Sequence, residues 1–135
     1  MKFKLPVVLL GLLIGSISYS HEGHDHSAEG VKPQKGGVIQ SLETIHLELV
    51  QMQNKIRIYI FNKDNPPKSL LTKNYPASAK VIFPRGKGTK EAKLVAEENF
   101  WTTTVNSQGI HRYDFVLTIE QGGHKDNLKF TVEPK

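Results

Sequence analysis

Apolar and polar residues alternate with a period of two along most of this chain, in short runs separated by turn chemistry, and this predicts a small all-β domain. Val38-Ile39-Gln40-Ser41 makes a short first run. In the second, Ile45, Leu47 and Leu49 alternate with His46, Glu48 and Val50. Gln53-Asn54 then turns the chain into Ile56, Ile58 and Ile60, which alternate with Arg57, Tyr59 and Phe61, so the two runs predict a hairpin. Asn62 to Pro67 contains two prolines, which have no amide hydrogen to give a ladder, and is expected to be a loop. Residues 68–77 carry no decisive pattern.

Ala79, Val81 and Phe83 resume the alternation up to Pro84, and Arg85-Gly86-Lys87-Gly88 turns the chain into a strand through Ala92, Leu94 and Ala96. Phe100 to Val105 is rich in β-branched and aromatic residues and is closed by Asn106-Ser107-Gln108-Gly109. The clearest strand follows, with Tyr113, Phe115, Leu117 and Ile119 on one side and Arg112, Asp114, Thr118 and Glu120 on the other. Gln121-Gly122-Gly123-His124 leads into Leu128, Phe130 and Val132. Seven or eight strands at this spacing predict two antiparallel sheets packed face to face, an immunoglobulin-like β-sandwich, with a small barrel as the alternative topology. No amphipathic helix is expected.

The first 35 residues read differently. Lys2 and Lys4 precede an apolar run from Leu5 to Ile17, and the small residues Ser18 and Ser20 stand where a signal peptidase reads. The apolar run is shorter than the roughly 20 residues that cross a bilayer as a helix, so residues 1–20 are expected to be a cleaved secretory signal and the mature chain periplasmic or secreted, with no membrane span. Residues 21–35 are His, Glu, Asp, Ser, Gly, Lys and Pro with Val31 as the only large apolar residue, too little to offset ordering, and are expected to form a flexible tail. The sandwich then occupies 36–135, a common size for one domain.

Charge and cysteine content narrow the chemistry. The chain has no cysteine, which excludes disulfides, thiolate metal sites and a lipid-anchored mature terminus. The leader holds two of the 18 Lys and Arg residues and none of the 13 Asp and Glu, which leaves +3 on the mature chain with histidines neutral. The basic residues are scattered among acids, with no aromatic-interleaved basic stripe, so no nucleic-acid partner is expected.

Cleavage after Ser20 would leave His21-Glu22-Gly23-His24-Asp25-His26 at the new terminus. A free amine with a pKa near 8 releases its proton to a metal far more readily than a lysine does, so His21 can chelate through both amine and ring. His24 and His26 add imidazoles, and Glu22 and Asp25 add oxygen donors and negative charge. Neutral imidazoles beside carboxylates suit Zn2+, Cu2+ or Ni2+, whereas Cu+ prefers sulfur, of which the mature chain offers only Met52. The expected ion is divalent, Cu2+ or Zn2+ ahead of Ni2+ or Co2+. A cut after His21 would instead place His24 third, which also favours square-planar Cu2+ or Ni2+, but it would put Tyr19 where a small residue is preferred.

The other histidines are weaker candidates. His46 and Glu48 share one strand face and could form half of a second metal site, although an exposed polar face is the more economical reading. His111, in phase with Tyr113 and Phe115, could approach His124 across the last hairpin. No nucleophile elbow, phosphate loop or His-Glu-x-x-His motif is present, and a copper oxidase built on an amino-terminal histidine would need a rigid clamp, so no enzyme is expected. A protein-interaction module with an incidental tail is the alternative from another class.

Lys35-Gly36-Gly37-Val38, followed by Ile45-His46-Leu47-Glu48-Leu49-Val50 and Ile56-Arg57-Ile58-Tyr59-Ile60, resembles small exported bacterial β-sandwich proteins and the amino-terminal domain of periplasmic adaptors of heavy-metal efflux pumps of the cobalt-zinc-cadmium and copper type. The resemblance covers roughly residues 21–132. It implies periplasmic metal handling and an efflux-system component as partner. Relatives frequently carry a histidine before the paired glycines, where this chain has Lys35, and the coiled-coil hairpin and barrel domains of a complete adaptor are lacking.

Overall fold

The computed structural model describes residues 31–134. They form two antiparallel sheets packed face to face. The first is β1 (Val38–Ser41), β2 (Ile45–Met52), β3 (Lys55–Asn62), β7 (Phe100–Thr104) and β6 (Val95–Ala96), hydrogen-bonded in that order. The second is β5 (Thr89–Ala92), β4 (Ala77–Ile82), β8 (Tyr113–Gln121) and β9 (His124–Val132). With β2, β3, β7 and β6 in one sheet and β4, β8 and β9 in the other, the wiring is that of an immunoglobulin-like sandwich, to which β1 and β5 add edge strands. Two separate sheets set aside the barrel. The only helical element among the described residues is a short 3-10 turn, Thr72–Asn74.

The alternating runs fix which face of each strand is buried. Ile45, Leu47 and Leu49 of β2 and Ile56, Ile58 and Ile60 of β3 meet Phe115, Leu117 and Ile119 of β8 and Leu128 and Phe130 of β9 in one continuous core. Trp101 closes it from β7. The β2–β3 turn lies at Gln53, whose φ of 57° is the left-handed conformation that a tight hairpin requires.

Nine strands are present among the described residues, against seven or eight expected, because the run through Ala92, Leu94 and Ala96 is two strands and not one. β5 pairs with β4 in the second sheet, and β6 pairs with β7 in the first, so the chain crosses between sheets at Lys93 and Leu94. Ala92 and Leu94 both pack toward the core across this step. Alternation records which side chains face inward and is silent about which sheet supplies the ladder.

Glu48 departs furthest from an exposed polar face. It has no exposed surface, and its carboxylate accepts three backbone amides, from Gln34 at 2.8 Å, Lys35 at 2.8 Å and Gly37 at 2.7 Å. Residues 34–37 therefore lie across the outer face of the first sheet as a strap, and Gln34 and Lys35, read as tail in the sequence, are bonded to the domain. Gly36 takes a φ of 78°, and at Gly37 a Cβ would overlap the carbonyl oxygen of Leu49. The glycine pair is thus set by a left-handed turn followed by a close backbone approach.

Removing the carboxylate leaves buried amides without an acceptor, so Glu48→Ala is expected to destabilise the domain by about 3 kcal/mol or more, while Glu43→Ala at an exposed position stays within about 0.5 kcal/mol. Urea unfolding midpoints of the two variants check the contrast. Gly37→Ala should fall with Glu48→Ala and not with Glu43→Ala.

Candidate functional site

The amino-terminal metal centre expected at His21, Glu22, His24, Asp25 and His26, with the leader before it, lies outside the described residues. What the structure supplies is the root of that arm. Gln34 follows His26 by eight positions and is held by its amide on Glu48, at the outer face of the first sheet. Eight residue steps span at most about 28 Å.

The surface around that root is aromatic and cationic. Tyr59 pairs with Glu48 in the β2–β3 register and lies 5.0 Å, centroid to centroid, from Phe100 of β7. The Lys35 ammonium sits 5.2 Å from the Tyr59 ring centre and the Arg57 guanidinium 4.8 Å from that of Phe100, each over a ring face that attracts a cation. Arg57 also donates to the Tyr59 hydroxyl at 3.1 Å. Lys35 thus adds a cation–π contact to the hydrogen bond its amide gives Glu48.

His46 shares the face of Glu48 and is also buried, at 8 % exposure, so neither residue presents an open polar face. Its Nδ1 lies 2.6 Å from the Ser41 hydroxyl on β1, directly across the ladder, which leaves Nε2 as the ring nitrogen without a partner. Burial, and secondarily the positive charge of Lys63, holds the imidazole below its ordinary value of 6.5. Glu48 cannot complete a metal site with it, because both carboxylate oxygens are occupied by the strap. A polar residue facing away from the core need not face water when another segment of the chain covers it.

The His111 and His124 pair does not form. Tyr113 pairs with Val132 and Gln121 with His124, which places His124 at one end of the β8–β9 hairpin and His111, just ahead of β8, at the other, on the order of 25 Å apart. His124 instead lies 3.4 Å from the Asp126 carboxylate on its own strand. Among the described residues no three His, Cys, Asp or Glu side chains converge as a metal-ligand group. No helix among them is long and apolar enough to cross a membrane.

Comparison with protein-family models, with curated proteins and with solved structures finds no match.

The sequence missed the strap. Its signals were a lone acid in an apolar strand and a glycine pair shortly before, and only the register links them.

His46 gives a pH signature with a definite sign. Its proton affinity is lower folded than unfolded, so as pH falls through about 6.5 the unfolded chain takes up the proton first. The stability contributed is complete above that pH and is lost as pH drops toward the folded-state value. Urea midpoints measured between pH 7.5 and 5 should decline for the wild type and decline less steeply for His46→Gln.

Proposed function

We propose that the chain is an exported carrier of a divalent transition metal, Cu2+ or Zn2+ ahead of Ni2+ or Co2+, which captures, buffers or delivers the ion through the His21–His26 arm in the periplasm or outside the cell. The sandwich serves as a platform for that arm. The observation that carries the reading is the clasp of Gln34, Lys35 and Gly37 on Glu48, which ties the chain to a folded domain eight positions after a sequence with three imidazoles in six residues. An arm rooted in this way loads and unloads an ion without unfolding its carrier. Binding by a single short segment carries the ordering cost of its side chains, so the affinity suits transfer more than permanent storage.

Support from composition points the same way. The arm supplies nitrogen and oxygen donors and no sulfur, the set that divalent ions of this series accept. The resemblance of the strap and of β2 and β3 to the amino-terminal domain of heavy-metal efflux adaptors supports an efflux component as the recipient. The reading is one of binding and transfer, without catalysis.

Calorimetric titration of the purified mature protein with Cu2+ and Zn2+ tests it. The wild type is expected to take up about one ion, and His24→Ala/His26→Ala to lose at least tenfold in affinity, with His111→Ala/His124→Ala unchanged. Affinity should weaken as pH falls and imidazoles and amine take up protons. Equal weak binding by wild type and the arm variant would overturn the proposal and leave the interaction module standing. Mass spectrometry of the first residue tests export independently, since a chain that still begins at Met1 would sink the amine-chelate part.

A further inference from the structure

The two edges of the sandwich are finished differently. At the β1–β9 edge the Gln40 side-chain amide donates to the Lys129 carbonyl at 3.2 Å, and nearby the Thr44 hydroxyl donates to the Gln121 side chain at 3.0 Å, so polar bonds stitch the sheets together. At the opposite edge the sheets part into a cleft of about 570 Å3 between β5 and β7. Its floor is apolar, formed by Val81, Phe83 and Val105. Val95 stands 51 % exposed at its rim, among the largest apolar exposures of the described residues.

Two further facts concern what could enter. Among the described residues β5 bonds only to β4, so its other edge, from Thr89 to Ala92, offers backbone donors and acceptors along the cleft that no described strand pairs. Lys90 pairs in register with Val81, a core residue at 3 % exposure, so its side chain springs from the inward face of β5 and not from the outer one. Lys55 and Lys93 line the same opening, and Glu91 also borders it, although its register partner is Lys80, on the face of β5 opposite to Lys90. Among the described residues no carboxylate lies within ion-pairing distance of any of the three ammonium groups.

An inward lysine on an edge strand repels an apolar or basic strand that approaches the edge. The same lysine attracts a strand that brings a carboxylate to that position, and the apolar floor then holds the residues on either side. We propose that this cleft binds an extended, alternating acidic and apolar segment of a partner protein, laid along the free edge of β5 with its carboxylates against Lys90, Lys55 and Lys93. Main-chain pairing supplies part of the affinity and the lysines supply selection by charge. A second copy of this chain is disfavoured as the occupant, because the protein is itself basic, with 18 Lys and Arg against 13 Asp and Glu over the full sequence and a net +3 without the leader. None of the cleft's lining residues belongs to the strap, and its test uses no metal, so the two proposals stand or fall separately.

Fluorescein-labelled octapeptides provide the probe: alternating glutamate and valine, alternating lysine and valine, and alternating glutamate and serine. Anisotropy titration of the purified protein is expected to show the glutamate–valine peptide binding at least tenfold tighter than either of the others. Amide chemical-shift changes should centre on Thr89–Ala92 and Val105. Lys90→Glu, an exposed edge substitution whose fold is checked by an unchanged thermal midpoint, should reverse the preference between the two valine peptides. Equal binding of the glutamate–serine peptide would reduce the effect to general charge attraction and overturn the proposal. So would no binding at millimolar peptide, shifts centred away from β5, or decanoate shifting the same amides while the peptides do not, which would assign the cleft to small amphipathic anions.

Discussion

A carboxylate with no exposed surface in the middle of an apolar strand is the constraint on which the amino-terminal half of this structure depends. Burying an ionised Glu48 costs several kcal/mol unless the charge is matched by donors, and here the donors are three backbone amides of one short segment. Charge-assisted bonds of this kind are shorter and stronger than neutral ones, and the distances of 2.7 to 2.8 Å fit that class. The segment can present three amides to two oxygens only if the chain folds back on itself. Gly36 in a left-handed conformation and Gly37 without a side chain make that possible. One acid therefore explains both glycines and the path of residues 34–37 across the sheet.

Much of the fold was legible because a period of two maps directly onto which face of a strand is buried. The runs at Ile45–Leu49, Ile56–Ile60, Tyr113–Ile119 and Leu128–Val132 all bury the residues their alternation indicates. The step from β5 to β6 was not legible, since Ala92 and Leu94 both turn inward while the hydrogen-bonding partner changes from β4 to β7. The site was less legible for a related reason. His46 and Glu48 were correctly placed opposite the core, but alternation cannot distinguish a face open to solvent from one buried by other segments, as Glu48 is by a strap 11 to 14 residues away in sequence. The His111 and His124 pairing failed on geometry that register alone supplies: a nine-residue strand separates the two ends of that hairpin.

The two proposed activities occupy chemically opposite surfaces. The arm gathers imidazoles with Glu22 and Asp25 and carries a local negative charge that favours a cation. The β5–β7 cleft has three lysines against one acid, Glu91, over an apolar floor, and disfavours a cation. A metal ion would be repelled from the cleft, and an acidic partner strand would be attracted to it and not to the arm. Opposite charge preferences of this kind would let one small domain hold an ion and a protein at once without competition between them.

The absence of cysteine makes the edges matter more. With no disulfide to restrict the unfolded chain, stability rests on the core and on the few polar bonds that close the sheets. Gln40 and Thr44 close one edge, whereas at the other a short β5, a two-residue β6 and an inward Lys90 leave the sheets apart. A purely defensive edge would need only the lysine, since a single inward charge already discourages pairing between copies. It would not need an apolar cleft of about 570 Å3 held open beneath that charge, which leaves Val95 exposed to water at a cost that burial against a partner would recover. The combination is better suited to admitting one kind of strand than to excluding all of them.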